Sequence, residues 1–380
     1  MIHSKSILGR LFGVVTLCIA IAFSADVAFG QTSTPLTGPA AGLRFNVRPI
    51  YTTRLATASQ EIKSKLEALQ EEGKNKGWTF PVSYTGVFES KIESITGELP
   101  PTQQSLNAAA AINAQAYRVL YLYNRDIINK EIVASTASCN PSASSWDWSL
   151  QGKVTPVKRQ SCGDCWAFAS TAQIESAYLM AGWSQSDLAE QQVLSCSKAG
   201  DCGGGRKFDA LSWATGTGVA TEPQYPYENG VASTCKGNIV GSYKLLASGW
   251  VDSSGKVPNP DVLKQALCEF GPISVSILAT PALQAYAGGG AVFNEQTTDP
   301  GTNHAILLVG WSDAKKAWLI KNSWHSPSSP WGDAGYAWIA YGSNNVGRFP
   351  VWAKAPHRFV PVSTSIAKEI LQLKAVTIGQ

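Results

Sequence analysis

Apolar positions in the first third of the chain fall at helical spacing in two places. Ile62, Leu66 and Leu69 line one face of residues 57–73, with Ser59 set to cap the start and Gly73 to stop the run. Leu106, Ala110, Ile112, Tyr117, Leu120, Tyr121, Tyr123, Ile127 and Ile128 give residues 103–133 a wide apolar stripe. Between the two, Trp78, Phe80, Val82 and Tyr84 alternate with their neighbours over 78–88 and predict a short strand, and Pro100-Pro101 breaks the chain. The character changes from Trp146 onward. One helical pattern over 165–181 ends at Gly182. Short β-rich runs follow at 240–251, 272–278, 304–311, 317–321 and 335–341, with Gly and Pro turns between them. A helix followed by strands reads as α+β and not as βαβ repeats. The last stretch, 356–380, holds one amphipathic segment, Ser365 to Leu373.

The extreme N-terminus has a different pattern. Lys5 and Arg10 precede a thirteen-residue apolar run, Leu11 to Phe23, too short to span a bilayer comfortably. Ala28-Phe29-Gly30 then offers small residues for a signal-peptidase cut before Gln31. Residues 1–30 are therefore expected to be a signal peptide, the mature chain having no membrane anchor. Residues 31–45 read as a flexible lead, and 134–145, rich in Ser, Ala and Thr, as a linker open to proteolysis. Hydrophobic residues are 44 % of the 380, charged ones only 15 %, and the formal net charge is +4. That composition excludes a disordered polyelectrolyte. No Lys/Arg run exceeds two residues, so no nucleic-acid patch is visible.

Seven cysteines remain beyond Cys18, all after residue 138, and an odd count in an exported chain predicts one free thiol. The segment Gln160-Ser161-Cys162-Gly163-Asp164-Cys165-Trp166 leaves two readings open. Cys162 and Cys165 could be a redox pair at a helix start, or Cys165 is the odd thiol and Cys162 is stapled elsewhere. At a helix N-terminus the dipole and free N–H groups favour thiolate. A nucleophilic thiolate needs a basic partner. His304 opens a buried-looking strand, and Asn322 in Lys-Asn-Ser-Trp could orient its ring while Trp324 shields the bond from water. No metal-ligand spacing is present, and no cofactor is expected.

With these motifs in this order, residues 140–355 resemble the papain family of cysteine proteases. The resemblance rests on W-D-W, V-T-P-V-K-R-Q, C-G-D-C-W-A-F, L-A-E-Q-Q-V-L-S-C-S, D-C-G-G-G, Y-P-Y-E, G-P-I-S-V, N-H-A-I-L-L-V-G-W, K-N-S-W and W-G-D-A-G-Y. It implies an α+β fold of a helical and a β-barrel subdomain with a cleft between them, preceded by a mainly helical prosegment. It implies Cys165 as nucleophile, His304 as general acid/base, Asn322 as orienter and Gln160 as oxyanion donor. The implied disulfides are Cys162–Cys202 and Cys196–Cys235, which leave Cys139 and Cys268 to pair. The implied activity is a secreted endopeptidase made as a zymogen, with 31–138 as propeptide, 139–355 as peptidase domain and 356–380 as an extension. The expected partners are peptide substrates and the chain's own propeptide; the enzyme is expected to be a monomer. The alternative function is a catalytically impaired homologue that binds peptides or inhibitors. The expected location is extracellular or periplasmic, with a lysosome or vacuole as the alternative.

The resemblance also assigns substrate contacts to Gly204, Gly205, Arg206, Lys207, Asn303 and Trp324. Arg206 and Lys207 stand where relatives often carry apolar groups in the pocket beside the scissile residue, and Ser276 aligns with its far wall. A charge there points at solvent or awaits an acid; the other outcome is an apolar wall of outward-snorkelling stems. Three departures from the family stand out. A Gly is missing after Gln160, so that loop is expected to be tight. Asp164 stands where a small residue is usual, to weaken the thiolate or cap the helix. His325 lies in a lengthened loop, as a surface residue or a second acid/base.

Overall fold

In a computed structural model of the chain, the described residues are 48–128, 139–231, 233–358 and 364–378. The expected signal peptide, the lead and residues 134–138 of the linker lie outside them.

Three helices build the N-terminal segment: α1 (Pro49–Ala56), α2 (Gln60–Asn75) and α3 (Gln103–Ile128). The first has no counterpart in the apolar pattern. Ser59 caps α2, its hydroxyl accepting from Ile62 N at 3.3 Å. Gly73 does not stop that helix. The Trp78 ring lies on it so closely that a Cβ there would sit 2.6 Å from Cε3. The strand expected over 78–88 does not form. Its one ladder contact is an isolated bridge between Val82 and Tyr286, and Pro81 brings no N–H to extend it. The alternating Trp78, Phe80 and Val82 are nonetheless buried, in docking rather than in a sheet. Asn113 on α3 exchanges two 2.8 Å bonds with the backbone of Trp250.

The rest of the chain splits into a helical and a sheet side. After β1 (Ser145–Asp147) comes α4 (Cys165–Met180), buried along nearly its whole length, then α5 (Glu190–Cys196), the paired β2 (Gly200–Asp201) and β3 (Gly204–Gly205), and α6 (Lys207–Gly216). The sheet side adds β4 (Ala247–Trp250), α7 (Pro260–Phe270), β5 (Ile273–Ile277), α8 (Pro281–Gln284), β6 (Val292–Phe293), β7 (His304–Ser312), β8 (Ala317–Lys321), β9 (Tyr336–Ala340) and β10 (Arg348–Lys354). Hydrogen bonding runs β4-β10-β5-β7-β8-β9-β6, with β1 on β7. So helices recur beyond the single one expected. The amphipathic tail segment is the helix α9 (Thr364–Ile378), which buries Ile366 and Ile370 and sets Glu369 3.7 Å from Arg125 of α3.

Three disulfides, Cys139–Cys268, Cys162–Cys202 and Cys196–Cys235, leave Cys165 free. Cys162 and Cys165 are therefore not a redox pair here. The helical and sheet sides meet where α4 begins, at Cys165, against the start of β7, at His304.

Candidate active site

His304 faces Ile277 in the β5–β7 ladder, so the sheet fixes its backbone. Its Nε2 lies 2.8 Å from Asn322 Oδ1. That oxygen also accepts from Ser323 N at 2.8 Å, which fixes the orientation of the amide. A carbonyl oxygen only accepts, so Nε2 carries the proton and Nδ1 is left as the basic nitrogen. Nδ1 is buried and has no hydrogen-bond partner. Trp324 stacks on the imidazole with ring centroids 4.4 Å apart and 28° between planes, sealing the Asn322 bond from solvent. One residue along the strand, Ala305 N donates to Cys165 Sγ at 3.4 Å. The sequence thus brings thiol, imidazole and amide together from three separate motifs.

Gln160 comes from the tight loop. Its Nε2 donates to Cys162 O at 2.7 Å and to Ile95 O at 3.1 Å, and Ser323 Oγ donates to its Oε1 at 2.6 Å. The amide thus bonds back to its own loop.

The acceptor Ile95 belongs to the N-terminal segment, and residues 95–99 cross this site as main chain. Trp324 Nε1 also donates to Ile95 O, at 3.0 Å. Gly97 N and Glu98 N both donate to Asn303 O, at 2.8 and 2.9 Å. Gly205 N donates to Gly97 O at 2.8 Å and Leu99 N to Gly205 O at 2.9 Å, a parallel bridge around Glu98. Gly97 has to be glycine, since a Cβ there would lie 1.9 Å from Gly163 O. Asn303 and Gly205, expected to contact substrate, here bond the main chain of residues 97–99. Gly204 forms β3 beside them, at φ 142°.

Arg206 and Lys207 part company. Arg206 stays toward solvent, its Nε donating to Pro100 O at 2.9 Å. Lys207 turns inward, 2 % exposed, its Nζ 2.6 Å from Glu98 Oε1 and 2.6 Å from Ser276 Oγ. The apolar-wall outcome does not hold for it. Glu98 is the residue at this site that the motifs missed. The signal available was indirect: Asp209, the acid nearest Lys207 in sequence, is not its partner, and a buried lysine requires one.

Burial sets the electrostatics. It pushes the Cys165 thiol well above its ordinary range, and the Glu98 and Asp164 charges add to that while the Ala305 and Gly97 N–H groups oppose it. Burial also pushes His304 down to about 4, against the Asn322 bond. Beneath the segment burial favours the neutral thiol and the neutral imidazole. Asp164 occupies the helix N-cap position, but its side chain makes no capping bond. Its Oδ2 instead accepts from Tyr227 OH at 2.7 Å, so the capping expectation is corrected. His325 is not at the site: its Nδ1 accepts from Trp331 N at 3.2 Å and holds the lengthened loop together. Among the described residues no His, Cys, Asp and Glu group could hold a metal.

The sequence profile of the papain family cysteine proteases matches residues 142–351. The chain belongs to that family. It is 38 % identical over 224 residues to digestive cysteine proteinase 2 of Homarus americanus, covering 54 % of this chain and 64 % of that protein, slightly under two thirds of its length. Cysteine proteinase A of Leishmania mexicana is 32 % identical over 274 residues, with 67 % of this chain and 74 % of that one aligned. Among solved structures, a recombinant stem bromelain precursor superposes with a TM-score of 0.57 at 25 % identity, over 82 % of this chain and 94 % of that one. Digestive procathepsin L 3 of Tenebrio molitor larval midgut gives 0.57 at 24 % identity, over 81 % and 93 %, which speaks for the fold. The papain-like fold thus holds for this chain, and the match to both precursors reaches beyond the family profile into the N-terminal segment.

Proposed function

We propose that the chain is an exported cysteine endopeptidase synthesised as a latent precursor. In this reading residues 1–30 are the signal peptide, 31–138 an inhibitory prosegment, 139–355 the peptidase and 356–380 an extension. Three disulfides fit an oxidising compartment outside the cytosol. The observation that carries the reading is the His304 tautomer: Nε2 tied to Asn322 under Trp324 leaves Nδ1 as the base, on the strand that touches Cys165 Sγ.

Once residues 95–99 leave, water returns to both groups and the penalty on their charged forms falls. Cys165 passes its proton to His304 Nδ1, and the thiolate attacks the substrate carbonyl carbon, forming the C–S bond. The amide of Gln160 and the N–H of Cys165 stabilise the oxyanion. His304 gives its proton to the leaving nitrogen as the C–N bond breaks. A water deprotonated by His304 then breaks the C–S bond and releases the acid. The stem bromelain precursor, overlaid across 94 % of its length, supports reading this segment as a prosegment.

The test pairs N-terminal sequencing of the purified enzyme with an epoxide label for thiols. Removal of 31–138 should switch on peptide hydrolysis and labelling of Cys165. His304→Ala in the processed enzyme should cost about 10³-fold or more in kcat/KM. A chain that labels but hydrolyses nothing would return the impaired-homologue alternative. Full activity with the segment retained would overturn the latency.

A further inference from the structure

Lys207 poses a physical question. Its ammonium is 2 % exposed at the first residue of α6, beside the cleft, and both its polar partners are known: Glu98 Oε1 and Ser276 Oγ, each at 2.6 Å. Ser276 lies on β5, within the rigid sheet, where it faces Ala305 in register. The carboxylate is supplied by the segment that blocks the cleft, so in the proposed enzyme it departs on activation. What remains is an ammonium with one hydroxyl partner, in a recess open to water beside the cleft.

The main chain around that recess sets what fills it. Gly205 offers one N–H and one C=O, and together they bracket Glu98 through Gly97 O and Leu99 N. A peptide running in the opposite direction would instead exchange both bonds between Gly205 and a single residue. In either direction the side chain of the residue opposite Gly205 lies over the same recess. Gly97, the next residue back, is the one against Gly163, two residues before Cys165. The recess therefore receives the substrate side chain adjacent to the reacting residue.

Resting on the peptidase reading above, we infer that Lys207 and Ser276 form a subsite that selects an acidic side chain, glutamate above all, and that Glu98 is its built-in occupant. The discrimination is electrostatic and geometric. A glutamate restores the ion pair and both hydrogen bonds. An isosteric glutamine leaves the ammonium without a counter-charge. A leucine expels its water and leaves it without a partner, and a desolvated unpaired charge is expensive. Sites built around a polar partner reject ligands lacking it far more strongly than apolar pockets reject a wrong shape. Arg206, held at Pro100 O on the rim, belongs to the approach and not to the recess.

The experiment is a fluorogenic peptide library, varied at this one position, cut by the processed enzyme with its Cys165→Ser variant as blank. Glutamate should exceed glutamine and leucine by at least about tenfold in kcat/KM. The Lys207→Met enzyme is prepared together with Glu98→Met, so that the precursor is not left folding around an unpaired carboxylate. It should reverse the order in favour of leucine. The exchanged pair Lys207→Glu with Glu98→Lys should prefer lysine or arginine, and it checks the idea if the first variant folds poorly. A leucine preference in the natural enzyme, unchanged by Lys207→Met, would overturn the subsite and leave the peptidase intact. Failure to cut any peptide above the Cys165→Ser blank would overturn the peptidase reading and the subsite with it.

Discussion

Between residues 78 and 88 the N-terminal segment packs side chains; between 95 and 99 it lays down main chain. In the first stretch Phe80 meets Phe293 at 4.5 Å and Tyr286 at 6.0 Å, while Trp78 stacks on it at 5.1 Å. Backbone bonds from Ser83 N to Ala285 O and from Gly86 N to Pro330 O, at 2.8 and 2.7 Å, pin this stretch to α8 and the lengthened loop. In the second stretch Glu98 alone places a side chain among polar cleft partners. The remaining hold comes from bonds at Asn303, Gly205, Gln160 and Trp324, groups that the proposed substrate would also use. The comparison separates affinity from blockade. Apolar burial away from Cys165 holds the segment on without regard to charge or cleft chemistry. The crossing then needs little side-chain affinity of its own. The lengthened loop, which in sequence offered His325 as a surface residue or a second acid/base, takes the backbone bond from Gly86 of the first stretch.

Breaking the aromatic grip should have the largest effect. Phe80 is 4 % exposed, so Phe80→Ala should cost about 3–5 kcal/mol of the hold, roughly a hundredfold or more in the fraction uncovered. The intact chain should label at Cys165 faster by that factor, with no dependence on the residue at 207. If labelling of the intact chain stayed at its natural rate, the affinity would reside in the cleft instead.

The crossing should give way more modestly and in a way that can be repaired. Glu98→Gln keeps a hydrogen-bonding group but leaves the Lys207 ammonium buried without its counter-charge, at about 2–3 kcal/mol. Adding Lys207→Met to Glu98→Met should recover much of the hold, because two apolar groups replace a buried pair at little cost. No partner change should rescue Phe80→Ala in that manner. Non-additive labelling rates at 98 and 207, beside additive ones for 80 and 207, would sharpen the distinction. Additivity at both would remove it.

What could be read from residues alone follows the same division. The chemistry was legible because Cys165, His304 and Asn322 each sit in a dense local motif. The helix over 60–75 was legible because Ser59 caps it and three apolar residues repeat. The 78–88 stretch misled: alternation reports burial on one side, and a docked extended chain alternates as a strand does, but Pro81 and the lack of a second ladder partner leave only a bridge. Helix α7 carries local start and stop signals of its own, with Asn259 as cap, Pro260 in its first turn and Gly271 at its end. The Glu98–Lys207 pair had no local signal, since 109 residues separate its members. Lys207 by itself still posed the question that the pair answers.

The smallest effect expected concerns Asp164, which neither stretch replaces or removes. Burial pushes its carboxyl up to about 7, against the Tyr227 hydroxyl bond, and its charge disfavours the neighbouring thiolate. The sign follows from linkage. A carboxyl whose folded value lies above its unfolded one, near 3.9, contributes stability that is fully present below that unfolded value and lost as pH rises through about 7. Asp164→Asn keeps an oxygen for Tyr227 and removes the charge. The variant should therefore gain thermal stability relative to the natural chain at pH 8 and a smaller amount at pH 5, where the loss has begun but is not complete. In the processed enzyme, Cys165 labelling below the thiol's own titration should rise a few-fold at pH 8 and stay level at pH 5, where Asp164 is already protonated. The precursor should show the stability gain without the labelling gain, because residues 95–99 still cover the sulfur. Equal labelling gains at both pH values would mean that Asp164 acts through packing, not charge.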